Sequence, residues 1–553
     1  MNANEPPFLV PRWTIVALCA ITLIGLVLRL VNVRESLWLD ELHTGWVVKD
    51  GWSEVAWRAQ IGNQSPLWFY AVKVVTSLGG ESELTLRLLS LIAGTALIPV
   101  AFWLVRVSVF TRDQNVHRAC VLAALLASAL VALDPNCIFY ATEARPYACL
   151  QLCAAMQFGL FVQILQQPTT RLRIGWMLLT ALAFHLHYTG ILILLGECTV
   201  LLFYYLLSRK PVPYRPWRAM FDWQIAAMLC LPAIGHVLEV GRRREMWNSM
   251  SEIPGFAELF KLFPLSATVV VGLFACGFVG VSWFRNRQIS KPPARWTPLL
   301  VVALWFFVPL LAAFAALAAT HFELNPVYIR RYLMAVAIGP MLLTALFVAH
   351  VPSIRWQWLL AICALGYGVY ESNMVQQICE DGRTIPSRGE DWRGAVAWLA
   401  KEHAQHPQLV LVDAGLVEDS SGFPVVILIA GKEKIKSVVE RQLQYRAFPL
   451  RSAYAFSIDR RDVLPLSLYP EWRWLQDDPY DFHPEEFWLI ARHQTTDDIA
   501  NHYRRTHDRH QVRWYSVMQS RDFSGVSVQR LRLSYLDAEI TSPPSPQSPP
   551  SAP

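Results

Sequence analysis

A run of about 19 residues with few charges must be buried on every side or lie in lipid, and this chain repeats such a run along most of its length. The first covers roughly 13–31, and further runs fall at roughly 86–105, 119–133, 147–165, 174–187, 189–207, 219–240, 262–284, 297–320, 332–350 and 357–370. That makes about eleven spans of a hydrocarbon core about 30 Å thick, the shortest of which are open to being re-entrant or to borrowing flanking residues. A soluble chain of 553 residues does not carry 54% hydrophobic residues and 22 Trp while gathering its charges into islands, so the expected fold class is an α-helical polytopic membrane protein. Arg12 precedes the first run and no small-x-small cleavage site follows it, which reads as an uncleaved signal anchor.

Charge gives the orientation. With the N-terminus cytoplasmic, the inner loops hold Arg106, Arg112 and Arg118, then Arg171 and Arg173, then Arg209, Lys210, Arg215 and Arg218, then Arg285, Arg287, Lys291 and Arg295, and finally Arg355. The outer segments hold the acidic residues Glu35, Asp40, Glu41, Asp50, Glu54, Glu81 and Glu83, and cations break the rule at Arg145, at Arg242-Arg243-Arg244 and at Arg330-Arg331. An odd number of spans then sends the C-terminal part outside. The net charge of +6 is modest for this length and no nucleic-acid motif accompanies it, so nucleic acid is excluded as a partner. Most of the ten Cys lie inside apolar runs, with neither metal spacing nor a disulfide framework.

The first outer loop, 32–85, opens with Ser36-Leu37-Trp38-Leu39-Asp40-Glu41-Leu42-His43, a carboxylate pair just beyond a span. Adjacent carboxylates beside a bilayer are costly to bury, which places them at the interface, as a solvated loop or as a site. Trp38, Trp46, Trp52, Trp57 and Trp68 and a helical apolar spacing over 53–60 suggest a platform lying on the membrane; a plain aromatic belt is the alternative. In Glu143-Ala144-Arg145-Pro146-Tyr147, Pro146 suits the first turn of the fourth span, so Arg145 stands at an outward helix N-terminus. Free N–H groups and a guanidinium together suit a phosphate, and Arg330-Arg331-Tyr332 repeats this at the opening of the tenth span. For each arginine site, and for the 242–244 run, contact with lipid headgroups is the alternative. His185 and His187 are two residues apart, about 200° round a helix, and do not chelate one metal unless the helix has ended; hydrogen-bonding roles at the outer rim fit them.

Beyond residue 371 the pattern changes. Asp391-Trp392-Arg393 leads an amphipathic helix to about 405, apolar runs follow at 409–413, 425–429 and 487–490, a helix is expected over about 496–503, and strands over 512–518 and 526–533. The domain organisation expected is therefore 1–370 in the membrane, a soluble α/β domain over 371–540, and a disordered Pro/Ser-rich tail over 541–553.

The order of motifs resembles the bacterial branch of the C-type membrane glycosyltransferases, which includes protein O-mannosyltransferases, the lipid A aminoarabinose transferase and the RgtA/B/C/D-like enzymes. The residues are Trp38-Leu39-Asp40-Glu41, Pro66-Leu67-Trp68-Phe69-Tyr70 with Glu83-Leu84-Thr85-Leu86-Arg87-Leu88, Glu143-Ala144-Arg145-Pro146-Tyr147, His187-Tyr188-Thr189-Gly190, Arg331-Tyr332-Leu333 and Glu390-Asp391-Trp392-Arg393. The resemblance spans residues 13 to about 405 and implies inverting sugar transfer from a polyprenyl-phosphate donor to a glycan, lipid or protein acceptor. It implies Asp40 at the reaction centre with Glu41 beside it, and Arg87, Glu143, Arg145, Tyr147, His187, Tyr188, Arg330, Arg331 and Tyr332 on the substrate side. A divalent cation as cofactor is left open. The chain departs from its relatives at Gln64-Ser65-Pro66-Leu67, where many carry His-Pro-Pro-Leu, which weakens a histidine-dependent or metal role for that loop. A secondary transporter would set its ionisable groups near the bilayer midplane, often in two similar halves, whereas here they cluster outside; a catalytically silent receptor would not need Asp40.

Overall fold

The computed structural model describes residues 11–109, 114–207, 212–242, 262–285, 296–318, 330–351, 353–416, 432–454, 458–468, 484–492, 506–508 and 511–535. The chain divides into two compact units at Arg388/Gly389, 18 residues beyond the expected boundary at 370, because the segment ahead of Gly389 hydrogen-bonds back to the first unit through Arg383 and Arg388. The expected run at 425–429, the helix at 496–503 and the tail at 541–553 lie outside the described residues.

The first unit is helical. After α1 (Arg12–Leu30), three short helices stand where one outer loop was expected: α2 (Leu39–Lys49), α3 (Trp52–Ile61) and α4 (Pro66–Gly79). Pro66 starts α4 at the first helical position, where its missing N–H costs nothing. Trp46 and Trp68 are 1% exposed, so these two rings pack inside protein instead of forming a headgroup belt, while Trp52 is half-exposed and stacks on Tyr70. The apolar sides of α2 and α4 therefore face the body of the protein.

The bundle continues with α5 (Glu83–Ser108), α6 (Gln114–Leu133), α7 (Pro135–Ala141), α8 (Tyr147–Gln166), α9 (Thr170–Leu186), α10 (Ile193–Leu207), α11 (Pro216–Cys230), α12 (Ile234–Arg242), α13 (Ser266–Arg285), α14 (Trp296–Ala318), α15 (Gly339–His350), α16 (Ile354–Glu371) and α17 (Met374–Asp381). Among the described residues seven helical segments are long and apolar enough to cross a membrane, or eight if the bent pair α6–α7 is one span. The expected spans at 174–187, 262–284 and 357–370 are helical but outside that set. α9 has only 17 residues, Ser266–Phe278 of α13 is a shorter apolar helix among the described residues, and α16 begins Ile354-Arg355-Trp356-Gln357-Trp358. The ten cysteines are unbridged.

Burial orders the bundle. α8 and the segment Arg330–His350 are buried over 72% and 83% of their spans and form its centre, whereas α1 (17%) and Pro216–Arg242 (11%) form its periphery. Centrally, Phe158 stacks on Trp305 at 4.3 Å, and Gly196 lets the backbone of α14 approach α10: a Cβ there would sit 2.8 Å from Trp305 Cα.

The 60° bend between α6 and α7 has a local cause. Pro135 has no N–H to give to the carbonyl of Val131 four residues back, so the helix stops after Asp134 N bonds Leu130 O. Asp134 caps the new helix by accepting from Cys137 N at 2.7 Å. The freed carbonyls of Val131 and Ala132 each accept from the guanidinium of Arg29 at 3.2 Å. Arg29, inside α1 and fully buried, thus supplies the donors that Pro135 removed.

The second unit is a six-stranded sheet in the order β2-β1-β3-β6-β5-β4, from β1 (Leu409–Asp413), β2 (Val463–Pro465), β3 (Glu486–Arg492), β4 (Thr506–Asp508), β5 (Gln511–Phe523) and β6 (Val526–Tyr535). β1 runs parallel to β2 and β3, and the remaining neighbours are antiparallel. The β5–β6 turn uses Gly525 at φ +65°, a conformation glycine adopts without a steric cost. Asp391 caps α18 (Trp392–Gln405) by accepting from Gly394 N at 2.9 Å. α19 (Lys432–Arg446), β2 and β4 were not foreseen.

Candidate active site

Asp40 and Glu41 both lie in the first turn of α2, where the positive end of the helix favours carboxylates. Consecutive helical residues point about 100° apart, and that angle separates their fates. Glu41 turns inward and is wholly buried. Its Oε1 accepts from Arg87 Nε and Ala144 N, both at 2.7 Å, and its Oε2 from Arg87 Nη2 at 2.5 Å and Trp38 N at 3.4 Å. Burial opposes its ionisation, but the guanidinium charges of Arg87 and Arg388 outweigh it and hold the carboxyl below the usual carboxylate range. Arg87 is equally enclosed, donating also to Val33 O (2.8 Å), Glu35 O (2.7 Å) and Ser36 O (3.3 Å). Arg87 therefore presents no exposed face, and of the two roles open to Glu41, orienting an acceptor or a neighbouring cation, the geometry fits the cation, together with a backbone turn.

Asp40 turns outward, its side chain 27% exposed. Its Oδ2 lies 3.1 Å from Arg331 Nη1 and 3.9 Å from Arg145 Nη2, and Arg145 Nη1 also donates to Asp40 O at 3.3 Å. Arg145 stands one residue before Pro146, the N-cap of α8, as expected. Its backbone is gripped on both sides: Ala144 N by Glu41, Ala144 O by Thr44 Oγ1 at 2.8 Å, and Arg145 O by Ser90 Oγ at 2.9 Å. The two carboxylates therefore act on one segment, Glu41 on the backbone beside Arg145 and Asp40 on its charge.

Arg330 and Arg331 open a seven-residue 3₁₀ stretch, Arg330–Val336, and the α-helical turn begins only at Gly339; the expected α-helix N-terminus at Arg330 is corrected accordingly. Arg331 reaches Asp40 and lies over the Tyr332 ring at 5.4 Å, whereas Arg330 donates to Leu262 O at 2.7 Å and Asn136 Oδ1 at 3.0 Å. Behind Arg331 an aromatic row runs from Tyr332 to His187 (5.2 Å), Tyr147 (5.6 Å) and Tyr140 (5.2 Å). Thr189 gives its hydroxyl proton to Tyr332 O at 2.7 Å, so His187 Nδ1, 2.7 Å from that hydroxyl, must be the donor between them. Tyr188 is not part of this row, since its hydroxyl meets His236 Nδ1 at 2.6 Å, and His185 Nε2 lies 3.0 Å from Leu229 O. Glu143 is 1% exposed, its Oε2 has no partner among the described residues, and burial pushes its pKa up to about 8 although Arg388 opposes this. His43, packed between Trp46 and Phe69, is driven down to about 3 by burial and then by Arg145, so it is neutral.

Arg330 and Arg331 also line a cavity of about 1400 Å³ whose walls include Leu130, Leu133, Phe139, Tyr140 and Met341. Among the described residues no group of three or more His, Cys, Asp or Glu is placed to hold a metal ion.

Sequence reasoning passed over two acidic sites. Glu35 appeared only as an outer-loop charge, and its partners sit some 350 residues further on, where no spacing signal links them. Glu197 is fully buried on α10, its Oε2 accepting from Gln157 Nε2 and Trp176 Nε1 at 3.1 Å. A lone Glu in the apolar 189–207 run was the available signal.

Fold and site together define a polytopic helical membrane protein with a carboxylate set between two arginines beside an apolar cavity. No family model and no curated protein matches the chain. Among solved structures, ArnT from Cupriavidus metallidurans in the apo state is similar at 14% identity over 94% of this chain and 97% of that one, with a TM-score of 0.49. The same protein bound to undecaprenyl phosphate gives 13%, 94%, 98% and 0.47. The Archaeoglobus fulgidus oligosaccharyltransferase complexed with Zn and sulfate gives 10% identity over 86% of this chain and 68% of that one, with a TM-score of 0.44. At TM-scores under 0.5 these likenesses carry none of the functional reading, which rests on the side chains.

Proposed function

We propose that the protein is a membrane glycosyltransferase that moves a sugar, with inversion, from a polyprenyl-phosphate donor to a glycan, lipid or protein acceptor at the outer face of the cytoplasmic membrane. The observation that carries this is the meeting of Asp40 with Arg331 and Arg145, where Arg331 also lines a largely apolar cavity. A lipid phosphate needs both surfaces at once, cations for its head and an apolar wall for its chain. Asp40, partly exposed, draws the proton from an acceptor hydroxyl as that oxygen bonds the anomeric carbon, and the carbon–oxygen bond to phosphate breaks with its electron pair going to the phosphate. Arg331 and Arg145 receive that charge, so the leaving group needs no strong acid. Tyr332 and His187, both partly exposed, back Arg331 and offer ring faces to a sugar, with Tyr147 buried behind them. The basic inner loops support a cytoplasmic N-terminus and eleven spans, with α9, α13 and α16 crossing as well and the chain beyond α16 outside. Purified protein given a radiolabelled polyprenyl-phosphate sugar and envelope glycolipid should yield a labelled acceptor; label remaining wholly in the donor across a panel of sugars would argue against transfer.

One observation favours a transporter, the carboxyl of Glu197 buried in the bundle. Substrate flux in proteoliposomes that is abolished by Glu197→Gln, without transfer, would mark that class.

A further inference from the structure

The carboxylate of Glu35, in the turn after α1, accepts four hydrogen bonds from one short stretch of chain: Arg383 Nη1 at 2.6 Å, and Ser387 Oγ, Arg388 N and Arg388 Nη1 each at 2.9 Å. Arg388 itself is buried, its side chain 1% exposed, with its guanidinium 4.7 Å from the centre of the Phe139 ring. From there Nη2 donates to Thr142 O at 2.9 Å and Phe139 O at 3.2 Å, and Nε lies 3.9 Å from Glu41 Oε2. Those carbonyls lie at the C-terminal end of α7, and Phe139 O accepts in addition from Thr142 N at 3.1 Å, so the guanidinium joins the last turn of α7 to the residue that caps it. Thr142 leads directly into Glu143-Ala144-Arg145, whose backbone Glu41 holds from the other side.

We infer that Arg388, oriented by Glu35, is a positioning residue for the Thr142–Arg145 segment and, through it, for the Arg145 guanidinium against Asp40. The inference rests on the sugar-transfer reading of that pair. A guanidinium here does what an ammonium cannot, since one planar fork spans a carboxylate and two carbonyls on opposite sides. Its removal frees the end of α7 and lets Arg145 drift, and a displacement of about 1 Å at a reacting centre costs about 10²-fold in rate. Arg388→Gln should therefore lower kcat/KM for the donor by about that factor, with the donor KM raised in the same direction as in Arg145→Ala, and Arg388→Lys should restore it only in part.

The test uses the full chain in detergent and two readouts. Hydrogen exchange over residues 139–147 should speed up at Thr142 and Ala144 in Arg388→Gln and, more weakly, in Glu35→Gln, which serves if the arginine variant does not fold. Kinetically, Arg388→Gln combined with Arg145→Lys should cost little more than the worse single change, because both act through one group. Unchanged exchange at Thr142 and Ala144, or losses that multiply in the double variant, overturns the inference. Absence of any transfer by the wild type counts against the functional reading alone, and the exchange result still decides the positioning.

Discussion

Asp40 and Arg331 are 291 residues apart in the chain, and their side chains meet at 3.1 Å. Both are partly open to solvent, 27% and 29% by side chain, so the pair can part when a phosphate competes for the arginine. The neighbouring Glu41–Arg87 pair has no exposure and no such freedom.

That contrast sets the first expectation. Asp40→Asn keeps the shape and loses the base, so transfer should fall by about 10²–10⁴ while donor binding survives. Near-normal turnover of the purified variant would move the base elsewhere.

The two arginines should be read in donor kinetics. Arg331→Ala and Arg145→Ala should each raise the donor KM, and Arg145→Lys should remain impaired because an ammonium lacks the two-pronged geometry. Unchanged donor affinity in both alanine variants would remove these side chains from the phosphate.

Glu41 should behave as a structural residue. Leaving one member of a buried ion pair alone costs roughly 3–5 kcal/mol, so Glu41→Gln should lower the thermal midpoint in detergent markedly. Acceptor KM measured on the protein that remains folded should not move; a selective rise there would restore an acceptor role.

Glu143 gives a pH dependence with a definite sign. Its folded pKa of about 8 lies above the ordinary 4.5, so between these values the folded state keeps a proton that the unfolded chain has released. Its contribution is present at low pH and is lost as pH rises through that window. Glu143→Gln should remove this decline, and the advantage of the variant in unfolding midpoint should grow from about pH 5 to about pH 8. Parallel curves for the two proteins would show that the buried carboxyl is already ionised.

Topology is checked by reporter fusions. Reporters placed after Lys210 and after Arg295 should read cytoplasmic and one after Ser420 exported; an exported signal at Arg295 would invert the arrangement.

The long helices were legible because a span needs only length and apolarity, and Arg145 and Arg331 because they interrupt the alternation of basic and acidic loops along the sequence. The helices α2 and α4 were not, since Trp46, Val47, Trp68 and Phe69 look the same in sequence whether an indole or phenyl ring meets headgroups or other side chains. Glu41 could be seen beside Asp40, but the inward turn that hands it to Arg87 depends on which face of α2 is covered. α19 escaped because its described buried residues are Val439, Leu443, Tyr445 and Arg446, a sparse stripe amid charged and polar residues.

The bend at Pro135 bears on how the chain is made. Arg29 enters the membrane within α1, yet the carbonyls that receive it belong to residues synthesised 102 and 103 positions later. At roughly 5–20 residues per second of elongation, that guanidinium waits about 5–20 s without its final partners. Its place at the end of α1 nearer Asp40 lets the side chain reach headgroups or translocon water meanwhile. The first helix is therefore inserted in a provisional seat, and its anchoring is completed only when the kinked helix arrives to claim the charge.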